Sequence, residues 1–155
     1  MVPVFLEAFY RYDVRFQNIK TMYTIHNLKY QGVFSKTILT ELLGLDYSYF
    51  TEDKLKFYDA ISFMKGGIIY SNIVTTVSET YANEIRTPFY GENLDGLLNA
   101  YSDKLYGIVN GIDHDANNPR RDKDIPKTFG MTTMKNKLVN KAELQAQLGL
   151  PVNNQ

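Results

Sequence analysis

Thr24-Ile25-His26-Asn27-Leu28-Lys29-Tyr30-Gln31-Gly32 joins the end of a short strand to a polar turn. Together with Lys20-Thr21-Met22-Tyr23 before it, the run 20–25 is built of residues that favour a strand. The run breaks off in two polar groups, His26 and Asn27, and an aromatic, an amide and a glycine follow closely. In an open α/β sheet, ligands bind beyond the carboxyl ends of the strands. A strand that ends in His-Asn, with Tyr30 and Gln31 behind it, therefore predicts the floor of a polar ligand site. On the residues alone, an ordinary turn after a strand, with a satisfied core histidine, is the alternative.

Further αβ units follow downstream. Ile73-Val74-Thr75-Thr76-Val77 is the clearest strand, β-branched throughout and short, as a buried parallel strand should be. Ser78 then stands as the N-cap of a helix over 79–87, which Pro88 ends. That places backbone N–H groups where an anion could bind, and leaves Ser78 open between cap and ligand contact. A loop, 90–93, leads into a helix over 94–102. Residues 106–109 form a third strand ending in Asn110-Gly111, either a site residue or simply a good turn. Upstream, Pro3 opens a helix. Ser35 predicts a capped helix through Leu43 closed by Gly44, and 46–56 a loop or short helix. The spacing of Phe57, Ile61, Met64, Ile68 and Ile69 predicts one helix over 57–70. Gly66-Gly67 inside it points to close packing against a neighbouring backbone. Residues 113–133 lack apolar periodicity and read as an exposed connector. Helical spacing resumes over 135–147 and stops at Gly149-Leu150-Pro151, and the last four residues are expected to fray.

Strands alternating with helices predict an α/β fold with a parallel, Rossmann-like sheet and right-handed crossovers. The chain has 155 residues, one domain's length, with 17 basic against 17 acidic residues. That balance supplies no field for nucleic acid or an anionic membrane. There is no cysteine, which excludes disulfides and thiolate chemistry and fits a cytoplasmic protein. The apolar start is interrupted by Glu7 and Arg11, too soon for a signal peptide or a membrane span. No Cys/His metal cluster or glycine-rich phosphate loop appears.

The opening nonapeptide closely resembles the T-I-H-N-L-x-Y-Q-G segment of bacterial glycogen synthases and plant starch synthases. Four further blocks match that family in the same order: Phe63-Met64-Lys65-Gly66-Gly67-Ile68; residues 75–85; Leu94-Asp95-Gly96-Leu97-Leu98 leading to Asn110-Gly111-Ile112-Asp113; and residues 140–151. The resemblance implies the second half of the N-terminal domain of a GT-B glycosyltransferase. Residues 1–134 would belong to that domain, and 135–155 would be a helix and linker towards a C-terminal domain. It implies transfer of glucose from ADP-glucose to the non-reducing end of an α-1,4-glucan, with retention and without a metal or other cofactor. A related UDP-glucose enzyme, or a non-catalytic glucan-binding module of the same fold, are the alternatives.

Carried over residue by residue, the resemblance puts His26 against the transferred glucose, as the catalytic contact. Asn27 and Gln31 would support it, Asn110 would contact the sugar from the other side, and Tyr30 would line the acceptor path. Asp95 and Gly96 match without an evident physical role. The family's glycine loop bearing a lysine would precede Met1, and its C-terminal cationic groups would follow Gln155. The chain is therefore expected to be a piece of the enzyme, inactive alone, with those remaining parts as partners. Sheet edges left open by half a domain are expected to be shielded by self-association or to leave the monomer marginal. Where the family carries an aromatic before Asn-Pro, this sequence has Asn117 before Asn118-Pro119.

Overall fold

A computed structural model describes residues 1–153; Asn154 and Gln155, half of the stretch expected to fray, lie outside the described residues. The chain divides into two compact units, Met1–Asn110 and Gly111–Gln155.

The first unit holds two small sheets. In the parallel one, β1 (Met22–Ile25) and β6 (Leu105–Gly107) flank β5 (Ile73–Thr76). Ile25 lies opposite Thr76, and Thr76 opposite Gly107, so the three carboxyl ends come out level. Side chains enforce this register. The Thr21 N–H donates to Asn72 Oδ1 at 2.8 Å, and the Asn72 N–H returns a bond to the Thr21 carbonyl at 3.0 Å. At the other end, the buried Thr76 hydroxyl donates to the Ile25 carbonyl at 2.8 Å. The second sheet is antiparallel, with β4 (Ala60–Ser62) between β2 (Val33–Ser35) and β3 (Lys56–Phe57).

This second sheet corrects two sequence expectations. Ser35 ends a strand instead of capping a helix, and the helix behind it, α2 (Ile38–Glu41), is a single turn. Residues 57–62 are strand and turn, and α3 (Phe63–Tyr70) begins only after them. An apolar residue every fourth position over so short a run fits either state, and cross-strand pairing decides it. Ile61 faces Phe34 across the ladder, and the Phe34 and Phe63 rings meet at 4.8 Å. The cap is Ser62, whose hydroxyl accepts the Lys65 N–H at 3.1 Å.

Two cores result. Ile25, Leu28, Met64, Ile68, Val74, Ile85, Leu94 and Leu98 cluster around the parallel sheet, α3, α4 (Glu79–Glu84) and α5 (Asp95–Ala100). Val4, Leu39, Leu45, Leu55 and Ile61 form the other, between α1 (Val2–Tyr10), α2 and the antiparallel sheet. Each fully buried aliphatic side chain stabilises by roughly 1.5–3 kcal/mol. Gly66-Gly67 are closely packed, but against side chains and not against a neighbouring backbone. A Cβ on Gly66 would stand 2.5 Å from a Leu55 methyl, and one on Gly67 2.5 Å from the Tyr23 ring. The opposite case is Gly96, inside α5, where a Cβ would meet nothing within 4 Å. Gly96→Ala is expected to stabilise the chain by up to about 1 kcal/mol, the helix-propensity difference, read from urea midpoints.

Lysines close loose ends of α3. Lys104 Nζ donates to the Ile69 and Ser71 carbonyls at 2.9 and 2.7 Å, at the helix C-terminus. Lys65 Nζ donates to the Glu52 and Lys56 carbonyls at 2.7 and 2.6 Å and ties down the turn before β3. Burial lowers the pKa of both amines.

Tyr70, at the end of α3, has its phenol pushed up from 10.0 to about 12, by burial first and then by neighbouring Tyr49, Glu7 and Asp53. Below pH 10 both folded and unfolded states keep this proton. Between 10 and 12 only the unfolded chain ionises, so stability falls over that window. After allowing for solvent screening, the loss is about 1 kcal/mol. Denaturant titrations from pH 9 to 12 should show a flatter decline for Tyr70→Phe than for the wild type.

In the second unit, α6 (Lys137–Gln147) follows a 3₁₀ turn, Met131–Asn136. Asn140 pairs in both directions with the Lys127 backbone at 2.8 Å, and Asn136 donates to the Thr128 carbonyl at 3.0 Å. The connector is largely exposed, as expected, and these bonds tie it to α6 within the unit Gly111–Gln155.

Candidate functional site

The level ends of the parallel sheet collect the polar residues singled out by the sequence. His26 follows directly on β1, Ser78 lies two residues beyond β5, and Asn110 three beyond β6. Since β5 lies between β1 and β6, these are the ends of three neighbouring strands. The Ile108 N–H donates to the Thr76 carbonyl at 2.8 Å, which carries the pairing one residue past β6.

His26 and Asn27 are exposed, while the chain on either side of them is anchored. Before them, the Ile25 carbonyl is held by Thr76. After them, Leu28 is buried, and its N–H donates to the Tyr81 hydroxyl on α4 at 3.2 Å. Asn27 Oδ1 accepts the Lys29 N–H at 3.0 Å, a local turn bond. Tyr30 is 78% exposed and forms no part of either core.

Gln31 is held through both its backbone and its side chain. Its carbonyl accepts the Met64 N–H at 3.0 Å and the Ser62 hydroxyl at 3.2 Å, covering the open N-terminus of α3. Its side-chain Nε2 donates to the Glu92 carbonyl at 2.7 Å, and its Oε1 is buried without a partner. Ser78 is a helix cap here: its hydroxyl accepts the Tyr81 N–H at 2.9 Å.

Residues the sequence reading passed over hold this end together. Gly107 is one: a Cβ there would fall on the Ser78 carbonyl and the Glu79 nitrogen, so β6 can pass the start of α4 only as glycine. A glycine inside a strand pattern signals such an approach, and that signal was available. Tyr81 and Thr76 lay within a matched block, but nothing local says where their hydroxyls reach. Glu92 and Asn93, consecutive non-glycines at φ 47° and 64°, carry no composition signal at all.

Chemically, the strand ends offer an imidazole, two carboxamides and a hydroxyl, groups that exchange hydrogen bonds with a polyhydroxylated ligand. The comparisons identify the scaffold that carries them. Residues 1–100 match the model of the starch synthase catalytic domain family. The chain belongs to the glycogen and starch synthase family. It is 57% identical over 152 residues to glycogen synthase of Clostridium acetobutylicum, covering 98% of this chain and 32% of that protein. Glycogen synthase of Caldicellulosiruptor bescii is 54% identical, covering all of this chain and 33% of the relative. The chain thus spans about a third of the length of these curated relatives. Among solved structures, the catalytic domain of starch synthase IV from Arabidopsis thaliana, bound to ADP and acarbose, superposes with a TM-score of 0.75. That match has 38% identity and covers 96% of this chain and 31% of the other. The α/β expectation is met, with a parallel sheet at its centre, and glycosyltransferase is the class of the family.

Proposed function

We propose that this chain contributes the glucose-contacting face of a glycogen synthase, transferring glucose from ADP-glucose to the non-reducing end of an α-1,4-glucan with retention. One observation carries the reading: in a chain of this family, His26 with Asn27, Ser78 and Asn110 stand at the ends of three neighbouring parallel strands. His26 orients the sugar at its reacting carbon, Asn27 and Asn110 bind its hydroxyls, and Tyr30 lines the acceptor path. Ser78 sets the start of α4, and Gln31 acts from behind.

None of these strand-end groups is a lysine or an arginine. A departing nucleotide phosphate needs cations aimed at it. Those are assigned to other parts of the longer enzyme, so the 155-residue chain alone is expected not to transfer glucose.

The test is a chimera in which this chain replaces the matching third of the Clostridium acetobutylicum glycogen synthase. Labelled glucose should pass from ADP-glucose into glycogen. A folded chimera that incorporates none contradicts the reading, and one that works only with UDP-glucose moves it to the related enzyme class.

A further inference from the structure

The Gln31 side chain reaches away from the strand end to a turn distant in sequence. That turn connects α4 to α5, and it is unusual. Gly91 is buried with no room for a Cβ, which would stand 2.5 Å from Asp95 Cβ and 2.8 Å from the Thr87 carbonyl. Glu92 and Asn93 then follow in the left-handed region, at φ 47° and 64°. Asparagine tolerates that conformation, but glutamate has no local device to support it. The Glu92 side chain is exposed and enters no described hydrogen bond or ion pair, so nothing of its own holds it there. What engages this residue is the 2.7 Å bond from Gln31 Nε2 to its carbonyl.

The same glutamine terminates the segment that bears His26 and Asn27. That segment is fastened at Leu28 to Tyr81 and at the Gln31 carbonyl to the start of α3. The side-chain bond to Glu92 is its third anchor. We propose that Gln31 is a positioning residue: it latches the left-handed 92–93 turn and, through that latch, sets the conformation of the exposed His26-Asn27 pair. Its role in glucosyl transfer rests on the function proposed above. The latch itself does not, and it can be tested without activity.

The experiment compares the 155-residue chain as wild type, Gln31→Leu, Glu92→Gly and Gln31→Leu/Glu92→Gly, by amide hydrogen exchange and the His26 imidazole resonances. Leu removes the donor at similar volume. Glycine at 92 keeps the carbonyl but adopts a positive φ without strain. Gln31→Leu should speed exchange at Gly91 and Leu94, whose N–H groups bond to the Thr87 and Gly91 carbonyls, by about tenfold. It should also shift the His26 ring signals. Glu92→Gly alone should leave both readouts near wild type. The double variant should recover most of the protection at Gly91 and Leu94, while the His26 signals stay shifted, because the Gln31 donor that anchors their segment is still absent.

Protection regained at the turn while the His26 signals stay shifted separates a latch from a purely global role, in which both readouts would recover together. Unchanged exchange and unchanged His26 signals in Gln31→Leu would overturn the proposal. So would a double variant in which Gly91 and Leu94 exchange as fast as in the single one. If the latch behaves as stated while the chimera transfers no glucose, the functional reading fails and the latch stands.

Discussion

Gly107→Ala is expected to destabilise the chain by about 3 kcal/mol, the upper end of ordinary overpacking costs. The reason is what the new methyl meets. It would fall on the Ser78 carbonyl and the Glu79 nitrogen, which are backbone atoms and cannot swing aside as a side chain does. Relief requires β6 to move off β5 or α4 to move off its cap. The first breaks the pairing of Thr76 with Gly107, and the second breaks the bond from the Tyr81 N–H to Ser78. For a unit of this size the cost corresponds to a fall in melting temperature of about 10 °C or more. A shift within about 2 °C of wild type would mean that β6 and α4 are not in the contact described. The contrast with Gly96→Ala, expected to stabilise, makes the pair a test of packing and not of glycine content.

His26→Ala in the chimera is expected to lower kcat for glucose transfer by about 100-fold, with little change in melting temperature. The histidine is exposed at a strand end, and neither core includes it. Removing it therefore leaves no cavity. The loss should fall on turnover, because a group that orients the reacting carbon acts more on the transition state than on the bound substrate. Steady-state kinetics on a chimera with unchanged circular dichroism provides the measurement. Full activity in that variant would remove His26 from the site.

The parallel sheet was legible because its strands carry their own signal. β5 is β-branched throughout, and β1 ends abruptly in His-Asn. An α/β pattern puts ligands beyond the strand ends, and His26, Ser78 and Asn110 all follow strands. The antiparallel sheet was not legible. Its strands have two or three residues, and Phe57 and Ile61 satisfy a helical spacing as well as a strand. Their state is decided by pairing with Phe34 and by the ring contact between Phe34 and Phe63. Gln31 shows a further limit. Nothing in its type or position signals this bond, and only the fold brings Glu92, 61 residues away in sequence, within reach of its amide. Gly107 was within reach of sequence reasoning, since a glycine in a strand asks what passes close by.

A sugar-binding face at the carboxyl ends of β1, β5 and β6 should respond to ligand at the residues that stand there. The measurement is a two-dimensional amide spectrum of the 155-residue chain, titrated with ADP-glucose and separately with maltotetraose. The expected result is a dispersed spectrum in which His26, Asn27 and Asn110 shift with at least one of the two ligands, and in which His26→Ala weakens those shifts. Dispersed spectra with no shift at these three residues, or with shifts confined to residues 111–153, would contradict it.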